Sequence, residues 1–111
     1  MLCEGAPTAE EELAGEARDH DGVRVVVPAP LWDEKVLRDH PELGPHLPDV
    51  LRAINEPDHV TPDPIFDGRR RHYLRNAGPS RWLLVVLSYE QEPARLVTAF
   101  ATRKDPRSWS K

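Results

Sequence analysis

The chain has 111 residues, with 39% hydrophobic and 31% charged residues and a mean hydropathy of −0.60. That length and balance fit one water-facing domain with a modest core. No apolar run approaches the roughly 18–20 residues that span a bilayer, and the acidic start does not read as a secretory signal. The single cysteine, Cys3, has no partner for an internal disulfide; a reducing cytoplasm is the simplest setting. Net charge is −4, but it is unevenly spread. Residues 1–22 carry seven acids and one base, net −6, whereas residues 68–111 carry ten bases and three acids, net +7. The basic half is suited to a polyanion such as RNA.

Residues 1–22 read as an acidic, flexible N-terminal extension, and residues 23–111 as a single α+β domain. Thr8-Ala9-Glu10-Glu11 matches a helix capping box, so the segment predicts a short helix if it is ordered. Leu13 is its only large apolar residue after Leu2, which equally fits a segment without fixed structure. A sharper alternative lays it over the basic face in competition with a polyanion.

Val23–Val27 is valine-rich and predicts a short strand. Pro28 and Pro30 end it and open a helix over Leu31–His40, where Trp32, Val36 and His40 repeat at helical spacing. Pro41 stops that helix. Leu47, Val50, Leu51 and Ile54 mark a second helix, Pro48–Asn55, bounded by Pro57. Asp58–Thr61 reads as one more short strand. An antiparallel meander follows, with runs at Arg70–Arg75, Arg81–Tyr89 and Leu96–Thr102 joined by short turns. The order predicts helices covering one face of an antiparallel sheet of about four strands.

Alternation sorts the meander. Arg69, Arg71, Tyr73 and Arg75 share one face; Leu96, Thr98, Phe100 and Thr102 share another. The middle run, Trp82–Tyr89, is apolar on both faces and should be central. The face away from the helices is then a partly concave surface flanked by Arg71, Tyr73, Arg75 and Thr98.

The spacing offers no CxxC, HxH or HExxH, and the five histidines are scattered, which argues against a zinc site. No GxSxG and no glycine-rich phosphate loop is present. What remains is a metal-free, cofactor-free set of His, Lys, Arg, Tyr and Thr. It suits RNA cleavage by attack of a 2′-OH on its phosphorus, giving a 2′,3′-cyclic phosphate. That reaction needs a base, an acid and cations around the phosphorane. Histidine can fill either proton role, and arginine can hold phosphate oxygens in a fork.

One further pattern concerns Trp32-x2-Lys35-x4-His40-Pro41-Glu42, Pro57-x-x-Val60, Arg71-His72-Tyr73-Leu74-Arg75, Trp82-Leu83-x-Val85-Val86 and Val97-Thr98-Ala99-Phe100. Over roughly residues 24–105 it resembles the phage-type branch of the barnase–EndoU–colicin–RelE-like nucleases. The resemblance implies N-terminal helices packed on an antiparallel sheet, and a metal-independent endoribonuclease of a toxin, phage or mobile-element setting. It implies His40, Arg71, Tyr73 and Thr98 as site residues. Lys35 stands where the family pattern has a histidine; lysine keeps the cation but transfers protons less readily at neutral pH. In this reading His40 is the general acid or base, Lys35 and Arg71 stabilise charge, and Tyr73 and Thr98 position substrate. Arg75, Arg103 and Lys104 contact RNA, tRNA being one candidate. An acidic inhibitor or immunity protein is the expected protein partner.

Each residue also has a structural alternative: His40 as a helix cap, Lys35 and the Arg69–Arg71 run as solvated cations, Thr98 as a strand former. A non-catalytic RNA-binding or protein-interaction domain on the same scaffold is the competing function.

Overall fold

The strand that orders the fold is β5 (Trp82–Ser88), buried along its whole length, as a sequence apolar on both faces requires. The computed structural model describes residues 12–104. Within them lie β1 (Leu13–Arg18), β2 (Arg24–Pro28), β3 (His59–Pro62), β4 (Arg69–Arg75), β5 and β6 (Ala94–Thr102). They form one six-stranded sheet in the order β1-β2-β6-β5-β4-β3. Neighbours are antiparallel except β2 and β6, which run parallel.

The architecture is α+β, with two helices packed on the sheet, but it departs from the expectation in three ways. The sheet has six strands, not four, and it is mixed. The helices lie between β2 and β3 in the chain instead of preceding the sheet. The third departure is β1, which occupies part of the segment expected as a helix or flexible extension. Its local helical signal is outweighed by pairing with β2, whose Val25–Val27 edge needs a hydrogen-bonding neighbour. Gly15 lets β1 lie close to the second helix: a Cβ there would sit 3.1 Å from Leu51 Cδ1. Arg24 and Glu16, 2.8 Å apart, bridge the two strands. The predicted capping box at Thr8–Glu11 lies outside the described residues, as does the basic tail beyond Lys104.

Helix α1 covers 29–39 and contains a wide π-helical turn at Trp32–Val36, where the Leu37 N–H reaches the Trp32 carbonyl. Trp32 and Val36 are its buried residues. It ends at His40, which leaves helical geometry (φ −138°, ψ 67°) because Pro41 disfavours the helical region for the residue before it. A 3₁₀ segment, Pro41–His46, leads into α2 (Leu47–Asn55), which buries Val50, Ala53 and Ile54. Glu56 leaves helical geometry before Pro57 for the same reason as His40.

The sheet separates two apolar clusters. On the helix side Val25, Val27, Val36, Val50, Ile54, Leu74, Leu83, Val85 and Leu87 pack together. His72 joins that side fully buried, and its Nδ1 lies 3.1 Å from the Ala53 carbonyl, one of the orphan acceptors at the α2 C-terminus. Burial pushes its imidazole below the usual histidine value, against the opposing pull of that hydrogen bond. On the other side Tyr73, Trp82, Leu84 and Val86 cluster, with Val97 and Phe100 against them.

The β4 alternation holds: Tyr73 faces this second cluster, while His72 and Leu74 face the helices. Strand β6 differs. Leu87 pairs with Leu96 but Val86 pairs with Thr98, so Val97 is an extra residue in the ladder. This bulge turns Leu96 into the helix-side core and keeps Thr98, Phe100 and Thr102 opposite Val86, Leu84 and Trp82.

Candidate nucleic-acid interface

The residues expected to form a site fall into two groups. The first lies where α1 meets β6. Lys35, on the π-helical turn, is exposed and its Nζ donates to the Val97 carbonyl at 3.3 Å. That carbonyl belongs to the residue that bulges out of the β5–β6 register. The His40 ring stacks on Phe100 with centroids 5.7 Å apart and planes at 29°. Its Nδ1 is 3.7 Å from Glu42 Oε2. Thr98, between the two β6 positions touched by Lys35 and His40, is half-buried opposite Val86. Lys35, His40 and Thr98 thus line one short stretch of β6.

Arg71 and Tyr73 serve other ends. Arg71 is half-buried with Nε 3.6 Å from Asp63 Oδ2, an ion-pair separation too long for a good hydrogen bond. Asp63 also accepts the amides of Ile65 and Phe66, which, with Arg71, keep its carboxyl below the usual range. Tyr73 is 1% exposed, edge-on to Trp82 and 5.7 Å from the His59 ring. A ring so enclosed builds the wall of the second cluster and does not offer a face for a base to stack on. The predicted concave surface is in this region an apolar layer.

The second group forms a cleft of about 400 Å³ lined by Arg75, Asn76, Arg81, Trp82 and Arg103. Arg75 ends β4, Arg81 directly precedes β5, and Arg103 directly follows β6. The pairings Arg75–Trp82 and Trp82–Thr102 bring these three strand ends into line. Among the described residues that line the cleft, three are arginines and none is a carboxylate. The cleft volume lies within the about 300–1,000 Å³ usual for ligand sites. Lys104 is exposed next to it in sequence, its backbone N–H bonded to Thr102 Oγ1 at 3.1 Å.

The turn beside the cleft is held from two sides. Asn76 adopts a left-handed conformation (φ 56°), which asparagine tolerates better than most residues. The Gly78 N–H donates to Asp49 Oδ2 at 3.0 Å, fixing the turn to the first turn of α2. Chiefly through that amide, and with help from His46 and Arg52 against opposing burial, the Asp49 carboxyl lies below the usual range. On the other side, the Arg75 N–H donates to Asp58 Oδ2 at 2.7 Å.

The sequence reading singled out Arg75 and Arg103 and missed Arg81, Asn76 and Trp82 as their companions. The signal was available: a five-residue turn flanked by Arg75 and Arg81 places two arginines at adjacent strand ends once the hairpin is paired.

No family model, curated protein or solved structure matches the chain. The resemblance to the barnase–EndoU–colicin–RelE-like nucleases therefore rests on the quoted residues alone. Among the described residues, no helix is long and apolar enough to cross a membrane.

Proposed function

We propose that this chain is an RNA-binding domain whose Arg75–Arg81–Arg103 cleft grips the phosphates of a single-stranded segment. The observation that carries this reading is the convergence of three strand-end arginines on one cleft, whose described lining residues include no carboxylate. Guanidinium forks match phosphate geometry, and a cleft lined by three cations suits an anion. Trp82 provides an apolar floor and Asn76 a hydrogen-bonding rim. RNA is the class that the family resemblance implies. The same basic cleft is the natural docking point for an acidic inhibitor protein.

The test is fluorescence anisotropy with a labelled single-stranded RNA across a salt series. Three phosphate contacts predict a log–log salt slope of about −2, and Arg81→Ala should reduce its magnitude by about 0.7. Binding unchanged in Arg81→Glu and Arg75→Glu would overturn the assignment of the cleft.

A second reading is favoured by Lys35 and His40 bracketing Thr98 on β6. In it the protein is a metal-independent endoribonuclease of toxin or phage type. His40 exchanges the proton of the 2′-OH or of the leaving 5′-oxygen, and Lys35 offsets phosphorane charge. Incubation with RNA in EDTA should then leave cyclic-phosphate ends, and His40→Ala should lower the rate by about 10²–10⁴-fold. Binding without cleavage, equal in wild type and His40→Ala, leaves the binding domain alone.

A further inference from the structure

We infer that the Arg75–Arg81–Arg103 cleft takes the phosphorylated end of an RNA strand, a terminal phosphomonoester, and not a segment threaded through it; this rests on RNA binding by the cleft and narrows it. Size is the first observation. The cleft is about 400 Å³, toward the lower end of the about 300–1,000 Å³ usual for small-molecule sites. Domains that hold a strand without reading its sequence instead track it along a charged groove, about 4–16 nucleotides per fold in one common class. A single compact cleft suits one terminal nucleotide.

A threaded strand also needs open aromatic rings on which successive bases stack. Tyr73 and Trp82, on one side of the sheet, are 1% and 8% exposed. Phe100 on that side has the His40 ring stacked on it. Phe66 is 50% exposed, but it stands in the loop before β4, at the opposite end of that strand from Arg75. Strand rise of about 3.3 Å per residue puts roughly 20 Å between those ends. Attraction to phosphate, not base stacking, therefore carries the hold at the cleft.

Charge decides between an internal phosphate and a terminal one. Three arginines line the cleft, and its described lining residues include no carboxylate. Asp58, which accepts the Arg75 backbone N–H at 2.7 Å, is not among them. An internal phosphodiester brings one negative charge and two free oxygens. A phosphomonoester brings about 1.5–2 negative charges at neutral pH and three strong acceptor oxygens. Together with the adjoining diester, a phosphorylated end brings nearly as much negative charge as the three arginines bring positive. Arginine forks take phosphate oxygens in pairs, and Asn76 adds a neutral donor at the rim. The backbone holds these donors ready: Arg75 pairs with Trp82, and the Asn76 N–H donates to the Arg81 carbonyl.

The experiment is fluorescence anisotropy of the full chain with three versions of one short single-stranded RNA, labelled internally. One is 5′-phosphorylated, one 3′-phosphorylated, and one ends in hydroxyls. A phosphorylated strand should bind at least about tenfold tighter than the hydroxyl strand, the two phosphorylated versions showing which end is taken. That advantage should vanish in Arg81→Ala and in Arg103→Ala, whose side chains are exposed, so the fold is kept. It should also shrink as pH falls through about 6, where the phosphate loses its second charge while arginine keeps its own. Equal binding of all three strands, abolished together by Arg81→Glu, would overturn end recognition and leave the cleft as an RNA site. An advantage that persists in both alanine variants would place the end elsewhere and overturn it too. Binding of every strand unchanged in Arg81→Glu and Arg75→Glu would overturn RNA binding by the cleft and end recognition with it.

Discussion

Asp49 shows how one carboxylate ties the candidate interface to the core. It accepts the Gly78 amide at 3.0 Å and lies 3.1 Å from His46 Nδ1 and 3.6 Å from Arg52 Nη2. Hydrogen bonds to charged groups contribute about 1.5–3 kcal/mol when buried. With the side chain 27% exposed, Asp49→Ala should lower stability by about 1–2 kcal/mol, measured by urea unfolding. The folded carboxyl titrates below its unfolded value of about 3.9. The contribution is therefore complete above that pH and disappears as pH falls through the folded value. Wild type and Asp49→Ala should differ at neutral pH and converge as pH falls through the folded carboxyl's lowered value. A difference that persists unchanged in acid would assign the effect to packing. The variant should also weaken RNA binding, because the turn beside Arg81 loses its anchor.

Between elements, β1 approaches α2 closely at Gly15. A methyl group there meets Leu51 Cδ1 and Cδ2 at 3.1 and 3.2 Å, so Gly15→Ala should destabilise by about 1 kcal/mol. Combined with Leu51→Ala, the double variant should lose less than the two single effects together, as expected of side chains that share a space. Strict additivity in denaturant midpoints would show that β1 moves aside freely. This contact also marks the limit of what the chain's order of residues discloses. Proline placement disclosed both helix ends, since His40 and Glu56 precede Pro41 and Pro57. The unbroken apolar run Trp82–Leu87 disclosed the central strand. Strand β1 was hidden because Leu13–Arg18 has weak local preference and is fixed by a neighbour. The bulge at Val97 was hidden because alternation assumes an uninterrupted period of two. Arg75 and Arg103 were legible as cations near strand ends, but their convergence with Arg81 depends on register, which no local pattern carries.

At the scale of the whole molecule, the sheet has unequal joints. β4 and β5 pair from Arg69–Ser88 to Arg75–Trp82, and β5 and β6 pair over most of their length. β2 meets β6 only through Val25–Ala94 and Val26–Arg95. Amide hydrogen exchange should therefore be slowest in Leu83–Leu87, and β1 with β2 should open together at lower free energy. Equal protection in β1 and β5 would contradict this division. The short joint has a consequence for synthesis. Val25 and its partner Ala94 stand 69 positions apart, and translation at about 5–20 residues per second separates their emergence by roughly 3–14 seconds. Throughout that interval a strand of three consecutive valines waits for its neighbour. β1, made just before it, covers one of its two edges at once. The other stays open until the last strand of the sheet leaves the ribosome, so the nascent chain is most prone to wrong pairing there.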